Sequence, residues 1–253
     1  MALGLVLVIE GVLYGGLPQL AKRLAAEVLR EVCDAVAPGV TTADLDEVAA
    51  RAISARGAES AFLNYRGYPR NICVSVNDEV IHGIPGNRII ALGDVVSVDV
   101  GVRYEGFCGD NAETVLVGVT DPAVIRLVET TRRALEHGIA AVAPGRRLSD
   151  VSHAIEKVAR AAGCGVVEEF VGHGIGTGLH EEPQVPNFGR AGHGPVLQAG
   201  MVFCIEPMFT RGGRKVRVLP DGWTVVTGDG SPAAHCENMV AVVPGGVEVL
   251  TPR

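Results

Sequence analysis

Gly93-Asp-Val-Val-Ser-Val-Asp99 and Gly200-Met-Val-Phe-Cys-Ile-Glu206 are the stretches on which the fold turns. Each opens on a glycine, runs through apolar and β-branched residues at strand length, and ends on an acid. Ahead of the first lie two helical patterns. Leu17 to Val36 carries Leu20, Leu24, Val28, Leu29 and Val32 at three- and four-residue spacings and is stopped by Pro38-Gly39. Thr41, with Asp44 three residues on, then caps a helix whose apolar face is Leu45, Val48, Ala52 and Ile53. Ahead of the second stretch the order repeats. Asp121-Pro122 opens a helix to Val142, Pro144-Gly145 stops it, Ser149 opens another to Ala162, and strands follow from Gly165. The chain therefore reads as one unit, 1–253, built by internal duplication, with halves of about 17–118 and 119–253. In this reading Asp99 and Glu206 are equivalent, and each is followed by a second strand with another acid, Asp110 and Glu237. Cys73 to Asn77 forms a further strand, and Ala112 to Gly118 pairs with Asp94 to Val102 as a hairpin. The expected fold is α+β, with two related half-sheets bringing four carboxylates to their junction.

Those acids pose an electrostatic problem. Asp99 sits within Val95-Val-Ser-Val-Asp-Val-Gly-Val102, Glu206 within Met201-Val-Phe-Cys-Ile-Glu-Pro-Met208, and Glu237 before Met239-Val-Ala-Val-Val243. A buried carboxylate has to be paired, hydrogen-bonded or metal-bound. Any one of them could cap a turn or meet a distant Arg, but few cations are near in sequence to serve all of them. Two divalent ions would balance the four, and oxygen with imidazole ligation suits Mn, Fe, Co or Zn better than Ca or Mg. The imidazoles lie in Val171-Gly-His-Gly-Ile-Gly-Thr-Gly-Leu-His-Glu-Glu-Pro183, whose alternating glycines let backbone crowd a site. His173 could ligate and His180 could face a substrate. His82, after a strand and before Gly83, is placed at a pocket rim or in a solvated loop.

These segments resemble the type I methionine aminopeptidases, of the pita-bread fold family that also includes prolidase, aminopeptidase P and creatinase. The likeness runs from about Leu24 to Leu250 and is carried by Tyr65-Arg-Gly-Tyr-Pro69, Asn77 to Pro85, Ser97-Val-Asp-Val with Gly109-Asp110, Gly172 to Pro183, Phe203-Cys-Ile-Glu-Pro-Met208, Asp221-Gly-Trp-Thr224 and Glu237. It implies a curved antiparallel sheet covered by helices, in pseudo-two-fold halves. It implies two divalent ions, with Asp99 and Glu206 on separate metals, Asp110 and Glu237 bridging both, and His173 sharing the metal of Glu206. It further implies hydrolysis of the first peptide bond by metal-activated water, preferably where the second residue is small. Glu206 takes the proton, His180 stabilises the tetrahedral intermediate and His82 contacts the scissile amide. The implied methionine pocket falls on Phe62, Tyr65, Tyr68, Cys73, Leu179 and Trp223, a thioether packing well on aromatic edges. Four departures stand out: Phe62 and Leu179 replace a Cys and a Phe, Asn111 stands where Thr is common, and Cys236-Glu-Asn-Met239 replaces an aromatic-Glu-His-Thr string.

Composition narrows the field. The 253 residues are 47% apolar, enough for a substantial core. A net charge of −7 with scattered Lys and Arg argues against a phosphate backbone as main partner. Six cysteines without a C-x-x-C pair read as reduced thiols of a cytoplasmic protein. No stretch reaches the ~18 apolar residues of a membrane span. Met1 to Gly16 reads as an atypical arm or first strand, not a signal peptide, because it lacks a basic start and Glu10 interrupts it. The stretch before Leu63 is too short for the extra domain of prolidases. The expected partner is the N-terminal Met of nascent chains, after deformylation in bacteria, with transient ribosome contact by a monomer. A metal-free binding protein on the same fold is the competing class, and it would leave four buried acids uncompensated.

Overall fold

A computed structural model of the protein describes residues 17–252. The expected N-terminal arm, 1–16, lies outside the described residues. The first half runs α1 (Leu17–Asp34), α2 (Thr42–Ala55), β1 (Glu59–Ser60), β2 (Cys73–Val76), β3 (Glu79–Ile81), β4 (Val95–Tyr104) and β5 (Phe107–Leu116). The second runs α3 (Pro122–Ala140), α4 (Leu148–Ala162), β6 (Gly165–Val166), β7 (Gly172–Gly174), β8 (Glu181–Val185), β9 (Val202–Ile205), β10 (Met208–Thr210), β11 (Val216–Val218), β12 (Val225–Thr227), β13 (Ala233–His235), β14 (Glu237–Val243) and β15 (Gly246–Val249).

Local chemistry sets the helix starts. The Thr41 hydroxyl accepts from the Asp44 amide at 3.1 Å while Asp44 accepts from the Thr41 amide at 2.8 Å, closing a capping box on α2. Asp121 accepts from the Ala123 amide at 2.8 Å, with Pro122 at the first helical position of α3. Helix α4 begins one residue earlier than the sequence reading placed it. Asp150 closes it by accepting from the Arg147 amide at 3.1 Å, which leaves the Ser149 hydroxyl to accept from His193 at 2.7 Å.

The hairpin also differs from expectation, since β5 starts at Phe107 rather than Ala112. Glu105 and Gly106, with φ of 49° and 81°, make a two-residue turn that pairs Tyr104 with Phe107 at once. Two successive positive φ values suit the turn that follows the twist of a hairpin. Asp110 therefore lies inside a paired strand.

The main sheet has the order β1-β4-β5-β14-β9-β7-β8, with β2 beside β4 and β15 beside β14, and its pairings are antiparallel. Its halves meet where β5 and β14 pair Ala112 with Glu237 and Asn111 with Asn238. Alternation assigns the faces. Val96, Val98, Val100 and Val102 pack in one core with Leu24, Val28 and Leu45 of α1 and α2. Phe203, Ile205, Val240 and Val242 pack in another with Leu127, Leu135, Val151 and Ile155 of α3 and α4. Asp99, Glu237 and the paired residues Met239 and Cys204 belong to the opposite face, the one that carries the cavity. The duplication is not residue for residue. Measured from the Asn111–Asn238 pair, Asp110 matches Glu237, but Asp99, opposite Ala112, matches Cys204, opposite Met239. Glu206 lies two residues further on, where Pro207 has no amide hydrogen to continue the strand.

Candidate metal centre

The row Asp99, Ala112, Glu237 crosses three neighbouring strands at the junction of the halves, and Asp110 is one step away on β5. Glu206 enters from the end of β9 and His173 from the middle of β7. Close backbone packing places that histidine: a Cβ on Gly172 would lie 2.4 Å from the Cys204 carbonyl oxygen, and one on Gly174 2.2 Å from that of Glu182. Only glycine admits this approach.

His173 Nε2 is 3.6 Å from Glu206 Oε1 and 3.9 Å from Asp110 Oδ2. Its Nδ1 bonds to the Gly174 carbonyl at 3.0 Å, which leaves Nε2 as the lone pair facing the acids. Ligand atoms of Asp110, His173, Cys204 and Glu237 lie within 4.8 Å of one another, as do those of Glu206, His235 and Glu237. Asp110, Glu206 and Glu237 are buried; Asp99 is partly accessible as a residue, yet its Oδ1 is sealed.

Asp99 Oδ1, Glu237 Oε1 and His235 Nε2 are buried without any hydrogen-bond partner. Among the described residues no Lys or Arg forms an ion pair with these four carboxylates. Burial first, then the Glu237 charge, raises Asp99 to about 7. Burial first, then the neighbouring carboxylates, holds Asp110, Glu206 and Glu237 well above the usual range. Orphaned oxygens, an aligned imidazole and no cation of the protein's own make a donor set fitted to a divalent metal.

The walls are aromatic and apolar. A cavity of about 150 Å³ is lined by the four carboxylates, His82, His173 and His180, and by Phe62, Tyr65, Tyr68, Cys73, Leu179 and Trp223. Every site residue named from the sequence thus meets in one cavity. The Tyr65 hydroxyl is 2.9 Å from His180 Nδ1, with the rings stacked at 5.2 Å, and the His173 ring is tilted against that of His180 at 4.2 Å. Phe170 and Trp223 hold His82 edge-on at 5.7 and 6.1 Å. The 60–73 loop that carries this wall is pinned from α2, where Asp46 accepts from Asn71 N at 2.8 Å, Asn71 Nδ2 at 3.0 Å and Ile72 N at 3.1 Å.

A family model described as metallopeptidase family M24 matches residues 19–244. The chain belongs to metallopeptidase family M24. Among M24 relatives it is similar to methionine aminopeptidase 1 of Mycobacterium tuberculosis, 48% identical over 91% of this chain and 90% of that one. It is likewise similar to the methionine aminopeptidase of Clostridium perfringens, 46% identical over 91% of this chain and 93% of the relative. The crystal structure of the Thermotoga maritima methionine aminopeptidase superposes with a TM-score of 0.91 at 44% identity, covering 93% of this chain and 95% of that one. The expected α+β pita-bread fold with duplicated halves is the one found, and M24 membership agrees with a metal-binding site.

Three residues beside this M24 site escaped the sequence reading. Arg66 lines the cavity with its guanidinium 5.3 Å from the Tyr65 ring centre, on a backbone with φ of 50°. Phe170 supports His82 from a segment with no sequence signature. His235 lies in the apolar run Ala233-Ala-His-Cys236, and the burial argument applied to the acids would have singled it out.

Proposed function

We propose that the protein removes the N-terminal methionine from peptides and nascent chains, using two divalent ions drawn from Mn, Fe, Co and Zn. The observation that carries this reading is the convergence of four uncompensated acids and His173 at one cavity with aromatic walls, in a chain 46–48% identical to methionine aminopeptidases. Asp99, Asp110, His173, Glu206 and Glu237 would hold these ions, the four carboxylates balancing their charge and His173 supplying an imidazole nitrogen. When bound, such ions lower the pKa of water and polarise the scissile carbonyl.

The chain's own residues do the rest. Glu206, whose proton affinity burial raises, would accept the proton of the attacking water once metal binding has displaced its own. With the Tyr65 hydroxyl donating to Nδ1, His180 carries its proton on Nε2, from which it donates to the developing oxyanion. Burial, then the neighbouring His173, Arg66 and His82, push His180 down to about 3, and burial with His235 pushes His82 to about 4, so both rings are neutral near pH 7. His82 holds the scissile amide and supports its leaving nitrogen. Phe62, Tyr65, Tyr68, Cys73, Leu179 and Trp223 take up the methionine side chain, and a small second residue is preferred.

Free thiols at all six cysteines and the absence of a membrane-crossing helix among the described residues support a cytoplasmic setting. There the chain works as a monomer that meets deformylated nascent chains at the ribosome. The test is metal content together with release of methionine from Met-Ala-Ser, against Leu-Ala-Ser, with and without a chelator. Bound divalent metal and chelator-sensitive, methionine-selective release are expected. Metal-free protein with no release would establish the binding-protein reading instead.

A further inference from the structure

His235 is the buried polar group beside the site for which the ligand set above has no use. It ends β13, is 2% exposed, and does not line the cavity. Its Nε2 has no hydrogen-bond partner, and Glu206 Oε2 is 3.7 Å away. The other oxygen of the same carboxylate, Oε1, faces His173. Glu206 is therefore flanked by two imidazoles, one per oxygen, with the cavity on the His173 side.

The main chain of His235 cannot retreat. Its amide donates to the Thr114 hydroxyl at 3.0 Å, and its carbonyl accepts from the same hydroxyl at 2.6 Å. That hydroxyl also bonds to Ser97 Oγ at 2.8 Å, so Thr114 is fully engaged. On its far edge β13 pairs His235 with Met208 of β10, which follows Glu206 by two residues. Ring and carboxylate are thus carried on facing backbones held in register. Buried imidazole nitrogens take partners, and a ligating carboxylate is normally gripped through its free oxygen.

We propose that His235 is a positioning residue for Glu206: its Nε2–H donates to Oε2, so that this carboxylate meets metal and water through Oε1 alone. The gap of 3.7 Å is beyond a hydrogen bond, and a shift of under about 1 Å closes it. The inference rests on the metallopeptidase reading above. It adds the requirement that the choice between the two oxygens of the base is made from behind the site.

Two measurements on the metal-loaded protein test it. Long-range ¹H–¹⁵N spectra read which nitrogen of His235 carries the proton, with no substitution needed. A proton on Nε2 is expected; a bare or metal-ligated Nε2 overturns the proposal. His235→Phe keeps a ring and removes the donor, whereas His235→Gln keeps an N–H at similar reach. For His235→Phe, kcat and metal affinity should each fall about 10- to 100-fold while KM changes less than about threefold. His235→Gln should recover both to within about threefold of the parent. A Phe variant with parental kcat and metal affinity, or a folded Gln variant as impaired as Phe, overturns the assignment. Absence of metal and of methionine release in the parent itself would instead sink the metallopeptidase reading, and so is told apart.

Discussion

His180 owes its orientation to Tyr65. The residue is exposed as a whole, but its ring lies against those of Tyr65 and His173, and burial of the ring, then His173, Arg66 and His82, lowers its proton affinity. Tyr65→Phe keeps the stacked ring and deletes the hydroxyl proposed to select the tautomer. One such bond is worth about 1 kcal/mol, roughly a fivefold to tenfold change in rate. Steady-state kinetics on Met-Ala-Ser should show kcat lower by about that factor with KM nearly constant. A variant with unchanged kcat would mean that His180 needs no help to present Nε2. Residues at this scale were the most legible in sequence, because a histidine in a glycine string and an acid in an apolar run are anomalies that call for a reason.

Among the elements, α2 reaches into the site without touching it. Asp46 in its first turns is 4% exposed and takes three hydrogen bonds from Asn71 and Ile72, which close the loop bearing Phe62, Tyr65 and Tyr68. Ser60 fixes the loop's other end, accepting from Phe62 N at 3.1 Å and Leu63 N at 3.0 Å. Asp46→Ala leaves two backbone amides without an acceptor, at about 1–3 kcal/mol each where buried. Denaturant titration should show a loss of about 2–4 kcal/mol, and KM for methionyl peptides should rise severalfold, with kcat less affected. A loss under about 0.5 kcal/mol would show that the loop stands without α2. The sequence marks Asp44 as the capping acid of this helix, and Asp46, two residues on, is read only from the packed structure.

Over the whole molecule, the carboxylates proposed to hold metal lie where the halves join. Apo protein brings four carboxylates together across the β5–β14 junction, and each has its proton affinity raised, by burial first and by its neighbours next. The folded apo state then binds more protons than the unfolded chain, whose carboxyls titrate near 4. This contribution to stability is full below about pH 4 and is lost as pH rises through the folded values, about 7 for Asp99. Metal binding runs the other way, because the ligands must lose their protons. Calorimetry of chelated and Mn- or Co-loaded protein should therefore show a Tm difference that widens from pH 5 to pH 8. A difference independent of pH would mean that these acids are not the ligands.

What the sequence determined by itself was the set of anomalies: Asp99, Glu206 and Glu237 in apolar runs, His173 among glycines, and a repeated order of helices and strands. Burial is predictable from pattern, and a buried charge demands compensation whatever the fold. The offset of Glu206 from Asp99, the loop held by Asp46 and the orphaned Nε2 of His235 were decided only by tertiary structure. Each depends on which backbone groups from distant parts of the chain meet and which polar atoms are left unpaired when they do. Hydrogen-bond register and leftover valence are properties of the assembled sheet, and no local pattern encodes them.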